Sequence, residues 1–220
     1  MLKAVLFDMD GVIVDTEPLH RKSYFQMFSE MQLDVSEALY TSFTGQSTIE
    51  ICTTLVEAFH LSATPQTLVA SKRKHFKHLF ENDDSLELLP GVLELIQDYH
   101  RNGLTLVLAS SASMENINRI FDRFDLHRYF TAKLSGADLK KSKPHPEIFE
   151  KAAQAAGYAP HECLVIEDST NGIAAAKAAG IFCVGYNSLH SKDQDYSQAD
   201  VVVGDFGELG FEQLKNWHYF

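Results

Sequence analysis

The chain is poor in paired cysteines, in positive charge and in long apolar runs, and each shortage excludes something. Its 220 residues include three cysteines, Cys52, Cys163 and Cys183. An odd count without metal-ligand spacing excludes a disulfide framework and a cysteine-based zinc site. Cys163 and Cys183 sit in apolar runs that read as strands, where cysteine serves as a small buried hydrophobe. Lys and Arg total 19 against 30 Asp and Glu, a formal net charge of −11 at pH 7. That balance argues against nucleic acid as a partner, because phosphate backbones attract basic surfaces. A small anion can still be held where a few cations or a metal converge. The apolar stretch before Asp8 is only AVLF, and no run nears the roughly 20 residues of a membrane span or forms a signal-peptide core. No membrane partner and a reduced, cytoplasmic compartment are therefore expected. Internal repeats and low-complexity segments are missing as well.

What is present is a rhythm of short apolar runs and amphipathic stretches. KAVLF (3–7), LTLVLA (104–109), CLVI (163–166), IFCVGY (181–186) and DVVVG (200–204) read as buried strands. Helical patterns fall at 91–103, 113–124, 145–157 and 171–180, several of them ending in glycine. Strands alternating with helices of this length pair in parallel, which predicts an α/β, doubly wound, Rossmann-like sheet. Residues 16–84 break the rhythm with helical patterns alone. The expected organisation is a core of 1–15 and 85–220 with an inserted α-helical cap domain at 16–84. The basic stretch SKRKHFKH (71–78) within the insertion reads as a solvated helix face.

Ligands of parallel α/β sheets bind beyond the carboxyl ends of the strands. KAVLF delivers Asp8 there, with Asp10 on the same side if the chain stays extended. LTLVLA delivers Ser110 and Ser111, CLVI delivers Glu167 and Asp168, and Lys143 precedes the helix starting near 145. Four elements thus bring acids, hydroxyls and one ammonium to one edge. Gathered carboxylates are most easily stabilised by a hard divalent cation such as Mg²⁺, which prefers oxygen ligands. Asp8 and Asp168 would supply carboxylate oxygens and Asp10 its main-chain carbonyl, while Glu167 is either a ligand or an acid that orients metal-bound water. With the repulsion reduced, one carboxylate can attack an electrophile and the other can manage a proton.

FDMDG (7–11), ASS (109–111), KSKPHPEIF (141–149) and VIEDSTNGI (165–173) together resemble the haloacid dehalogenase superfamily, all four of its motifs appearing in order. DGVIVDTEPLH (10–20) resembles the branch that contains β-phosphoglucomutase and small sugar-phosphate phosphatases. The resemblance implies that Asp8 is a nucleophile forming an aspartyl-phosphate, and that Asp10 protonates the departing oxygen and then activates the acceptor. It implies that Ser110 and Lys143 hold the phosphoryl oxygens while Mg²⁺ neutralises the remainder. An acid at Asp10 favours phosphoryl transfer over dehalogenation. Ser111 offers its main-chain N–H at a helix start, and Ser113 is available to cap that helix. His20 lies where cap and core should meet and is a candidate for substrate contact or a hinge, with a structural role as the equal alternative. Thr16, ahead of Pro18, is a candidate for a helix cap or for substrate contact.

Two departures separate the chain from the mutases of that branch. Where they carry a lysine and an asparagine after the second-motif serine, this chain reads Ser111-Ala112-Ser113-Met114. Where their cap loop has a lysine before its glycine and an arginine after it, this chain has FTGQST, with Thr44 before Gly45 and Thr48 in the arginine's place. Uncharged side chains cannot make the charge-assisted contacts a second phosphate requires. Gly45, Gln46 and Ser47 instead suit a hydroxyl-rich substrate. The expectation is a Mg²⁺-dependent phosphatase acting, as a monomer, on a small phosphorylated metabolite such as a sugar or polyol phosphate. A β-phosphoglucomutase-type phosphotransferase is the alternative, and a catalytically silent binding protein a more distant one.

Overall fold

The computed structural model describes residues 1–43, 46–83, 86–187 and 193–217. They divide into two compact units, one of Met1–Asp15 with Glu87–Phe220 and the other of Thr16–Leu86.

In the first unit, β1 (Ala4–Phe7), β2 (Thr105–Ser110), β3 (Ala132–Ser135), β4 (Cys163–Glu167), β5 (Phe182–Tyr186) and β6 (Val201–Val203) form one sheet in the order β3-β2-β1-β4-β5-β6. Every neighbouring pair is parallel. Helices α5 (Val92–Arg101), α6 (Met114–Arg123), α7 (Glu147–Ala156), α8 (Thr170–Ala178) and α9 (Phe211–Lys215) follow in the same unit. All four residues of β1 are wholly buried, as a central strand covered on both faces requires. Alternate side chains serve the two faces. Ala4, Leu6, Val107 and Ala109 pack with Phe149 and Ala152 of α7 and Ile173 and Ala176 of α8. On the other face Phe7 meets Tyr99 of α5 at a ring-centroid distance of 6.2 Å and Phe130 at 5.8 Å.

This is the doubly wound α/β sheet the sequence predicts, with one strand more than the five expected. β3 is an edge strand of four residues, three of them only partly buried and one of them Lys133. Such a segment lacks the continuous apolar run that marks a central strand. The strand order reverses between β1 and β4, and the carboxyl ends beside that reversal are where an open α/β sheet offers a crevice.

The second unit is helical: α1 (Glu17–Glu30), α2 (Glu37–Thr41), α3 (Thr48–Ala58) and α4 (Pro65–Asn82). Its core joins Tyr24, Met27, Phe28, Ile51, Cys52, Leu55 and Leu68. Helix starts are set by short hydroxyl side chains. Ser36 accepts from the Leu39 N–H, and Thr64 from the Thr67 N–H at the head of α4. Thr16 stands at the start of α1 without a side-chain capping bond. The solvated face expected for 71–78 holds only in part: Ser71, Lys72 and Phe76 are buried, Lys72 at 3% exposure with its Nζ 5.0 Å from the ring centroids of both Tyr24 and Phe76. A long aliphatic stem can be packed this way while the ammonium meets aromatic faces. Among the described residues no helix is long and apolar enough to cross a membrane.

Candidate active site

Four elements of the sheet unit converge at the carboxyl ends of β1, β2 and β4. Asp8 follows β1 directly and its N–H donates to the Ile166 carbonyl of β4 at 3.0 Å. Ser110 is the last residue of β2 and Glu167 the last of β4. Lys143 stands on the approach to α7 and reaches into this cluster. Its Nζ donates to Asp8 Oδ1, to Glu167 Oε1 at 2.8 Å and to the Ala109 carbonyl at 3.0 Å. Three acceptors, one just past β1 and one each on β2 and β4, hold one ammonium.

Electrostatics explain why this cluster is unusual. The side chains of Lys143, Asp8 and Glu167 are 6%, 9% and 1% exposed. Burial raises the Asp8 pKa from 3.8 to about 7; Lys143 opposes the shift, and the charges of Glu167 and Asp10 add to it. Burial alone would pull Lys143 down, but Asp8 and Glu167 outweigh it and leave its pKa raised. One cation therefore faces more than one anion in a place poor in water.

Asp168 joins the group through Gly11. Gly11 has φ +82, and a Cβ there would stand 2.0 Å from Asp168 Oδ2. The glycine thus admits the Asp168 carboxylate against the turn that carries Asp10. Within that turn the Gly11 N–H donates to the Val14 carbonyl at 2.8 Å. Glu167 is engaged at both of its oxygens. Its Oε1 takes the Lys143 ammonium, and its Oε2 accepts from the Ser169 N–H at 2.8 Å and from Ser169 Oγ at 3.0 Å. Gly172, in the first turn of α8, makes room for this, because a Cβ there would lie 1.6 Å from Glu167 Oε1.

Ser110 is 1% exposed and its Oγ accepts from the Ala112 N–H at 3.0 Å. Ser111 is exposed, and Ser113 caps α6 by accepting from the Asn116 N–H.

The remaining expected contacts belong to the helical unit. His20 is half-buried, stacks on Phe76 at 4.5 Å and places Nδ1 2.6 Å from Lys72 Nζ. An ammonium donates there, so Nδ1 accepts and the ring is neutral. Burial, reinforced by the Lys72 charge, holds the His20 pKa well below 6.5. Lys72 is the partner that sequence reasoning missed, since it reads as one of several cations on a solvated face. Gln46 is exposed and its Nε2 donates to the Ser42 carbonyl at 3.3 Å. Gly45 and Thr44 lie outside the described residues. Ser47 is not a free hydroxyl for a ligand: its Oγ donates to Glu50 Oε2 at 2.6 Å and accepts from the Glu50 N–H, closing a capping box on α3.

Residues 2–180 match the family described as haloacid dehalogenase-like hydrolase. The chain belongs to that family. Within the haloacid dehalogenase-like hydrolases it is 31% identical over 190 residues to the phosphorylated carbohydrates phosphatase of Thermotoga maritima, covering 86% of this chain and 87% of that one. It is 30% identical over 225 residues to the β-phosphoglucomutase of Bacillus subtilis, covering 100% of this chain and 97% of that one. The crystal structure of CbbY from Rhodobacter sphaeroides in complex with phosphate superposes with a TM-score of 0.87 at 26% identity, covering 98% of this chain and all of that one.

Proposed function

We propose that this hydrolase is a phosphatase that removes the phosphoryl group from a small phosphorylated carbohydrate through a covalent intermediate on Asp8. The observation that carries the reading is the buried Asp8–Lys143–Glu167 cluster at the reversal of strand order. A carboxylate whose pKa is raised by burial and whose one cation is shared suits attack on an electrophile that brings its own negative charge only when that charge is met by donors. The Thermotoga relative, named for phosphorylated carbohydrates, supports the substrate class.

In this reading Asp8 attacks phosphorus, an aspartyl–phosphorus bond forms and the ester oxygen departs. Asp10 gives that oxygen its proton and becomes the base. Water then gives a proton to Asp10 as it attacks the aspartyl-phosphate, releasing inorganic phosphate and restoring Asp8. Lys143, the Ser110 hydroxyl and the Ser111 N–H take the phosphoryl oxygens. The helical unit acts as the cap, with His20 and Gln46 as its candidate substrate contacts.

The donor set fits Mg²⁺. Asp8, Asp168 and the Asp10 carbonyl offer the hard oxygen ligands that this ion prefers and would hold it. Mg²⁺ keeps several waters and takes few protein ligands. When bound, Mg²⁺ would supply charge neutralisation for the phosphoryl group. Glu167, with both oxygens engaged, serves as the holder of Lys143 in this arrangement and not as a ligand.

A mutase is the second reading, favoured by full-length similarity to the Bacillus β-phosphoglucomutase. The uncharged Ser111-Ala112-Ser113-Met114 segment weighs against it, since a bisphosphate needs cations at both ends. A screen of phosphomonoesters, bisphosphates and pyrophosphate with Mg²⁺ separates the two. Hydrolysis of sugar or polyol phosphates, abolished in Asp8→Asn, is the expected result. Efficient conversion of β-glucose 1-phosphate to glucose 6-phosphate would establish the mutase instead, and hydrolysis surviving in Asp8→Asn would remove Asp8 from its role.

A further inference from the structure

β2 and β3 end side by side, with Ser110 in register with Ser135. The chain then turns from β2 into α6 through Ser111 and Ala112. Ala112 is held at both of its backbone groups: its N–H donates to Ser110 Oγ at 3.0 Å, and its carbonyl accepts from Ser135 Oγ at 2.8 Å. Ser135 is 4% exposed, so this bond is shielded from water. Gly136 presses on the same turn. A Cβ there would lie 3.1 Å from Ser111 Cα and 3.3 Å from the Ser110 carbonyl oxygen, closer than ordinary contact. Neither residue falls in the four segments that carry the family resemblance.

The hydroxyl chemistry gives the arrangement a direction. Ser110 Oγ accepts from Ala112, which leaves its single proton to be donated to another group. Fixing Ala112 from β3 therefore fixes how the Ser110 hydroxyl is presented. We propose that Ser135 and Gly136 are positioning residues for phosphoryl binding, bracing the 110–112 turn so that the Ser110 hydroxyl and the Ser111 N–H are set before substrate arrives. The inference rests on the phosphatase reading of this site. Donors held in place in advance need no reorganisation when charge is delivered to them, so a loosened turn costs affinity for the phosphoryl group.

The test uses the full chain as wild type, Ser135→Ala, Gly136→Ala and Ser113→Ala. Inorganic phosphate is the probe, as an inhibitor of p-nitrophenyl phosphate hydrolysis, and amide hydrogen exchange is followed in the peptide spanning 108–115. Removing the Ser135 hydroxyl is expected to raise the phosphate inhibition constant and KM together by about five- to tenfold, with kcat changed by less than about twofold, and to speed exchange in the turn. Gly136→Ala is expected to do the same by displacing Ser111, and it stands in if Ser135→Ala does not fold. Ser113→Ala removes the α6 cap from the same segment and is expected to leave the inhibition constant unchanged. An unchanged inhibition constant in a folded Ser135→Ala or Gly136→Ala protein overturns the brace, as does faster exchange without any loss of phosphate affinity. A wild type that hydrolyses no phosphomonoester refutes the phosphatase reading instead, and unchanged exchange in Ser135→Ala would then still refute the brace.

Discussion

Replacing Gly172 by alanine tests how the site holds its lysine. At an unstrained helical position Gly→Ala stabilises by about 1 kcal/mol, through backbone entropy. Here the new Cβ would lie 1.6 Å from Glu167 Oε1, 1.9 Å from its Cδ and 2.4 Å from Oε2. Glu167 is 1% exposed and ends a central strand, so the carboxylate has to leave its seat. It would then lose the two Ser169 bonds and the Lys143 ammonium together. Separating a buried ion pair costs about 3–5 kcal/mol. Set against the helix gain, a net loss of about 2–4 kcal/mol follows. Displacing Lys143 from the phosphoryl position is expected to lower kcat/KM by about ten- to a hundredfold. Urea unfolding and steady-state hydrolysis measure the two effects. A double-mutant cycle with Glu167→Ala isolates the cause, because with the carboxylate gone Gly172→Ala should be neutral or stabilising. A Gly172→Ala protein as stable as wild type with full hydrolysis would refute the reasoning.

Other perturbations reach different parts of the molecule. Lys143→Met leaves Asp8 and Glu167 buried without their cation and should lower hydrolysis by more than about a hundredfold, with a stability loss of about 3–5 kcal/mol in urea unfolding. His20 is held neutral in the folded chain, its pKa well below 6.5. The unfolded chain therefore binds the proton first, and the stability contributed by this group is full above pH 6.5 and lost as pH falls, by up to about 1.4 kcal/mol per pH unit. Asp8, with its folded pKa raised to about 7, trends the opposite way, its contribution being lost as pH rises through that value. The difference between wild type and His20→Asn cancels the Asp8 trend and should show the His20 slope by itself. Ser47→Ala should cost about 1 kcal/mol through the lost α3 cap while leaving KM unchanged, and a raised KM would return Ser47 to the substrate.

The parts legible in the sequence are those fixed by burial and topology. AVLF, LVLA and LVI read as strands because a strand covered on both faces admits only apolar side chains, and the residues that follow them are delivered to one edge. Asp8, Ser110 and Glu167 are placed by that argument alone. β3 escaped it because an edge strand carrying Lys133 shows no such run. Pairings across the fold were not legible. That both Glu167 oxygens are engaged depends on Ser169 and on the space above Gly172, neither of which a strand-end argument contains. Lys72 read as surface charge because its neighbours Arg73 and Lys74 are exposed, while its own position on α4 turns it toward Tyr24 and Phe76. Ser47 looked available because a loop serine and a helix cap are spelled alike until the Glu three residues on is seen to bond it.

The covalent role of Asp8 is tested most directly by the stereochemical course of transfer at phosphorus, using a substrate whose phosphoryl group is made chiral with oxygen isotopes and a chiral acceptor readout. Two in-line displacements, first by Asp8 and then by water or another acceptor, predict retention of configuration. Inversion would mean that the acceptor attacks the substrate directly, and Asp8 would not be the nucleophile.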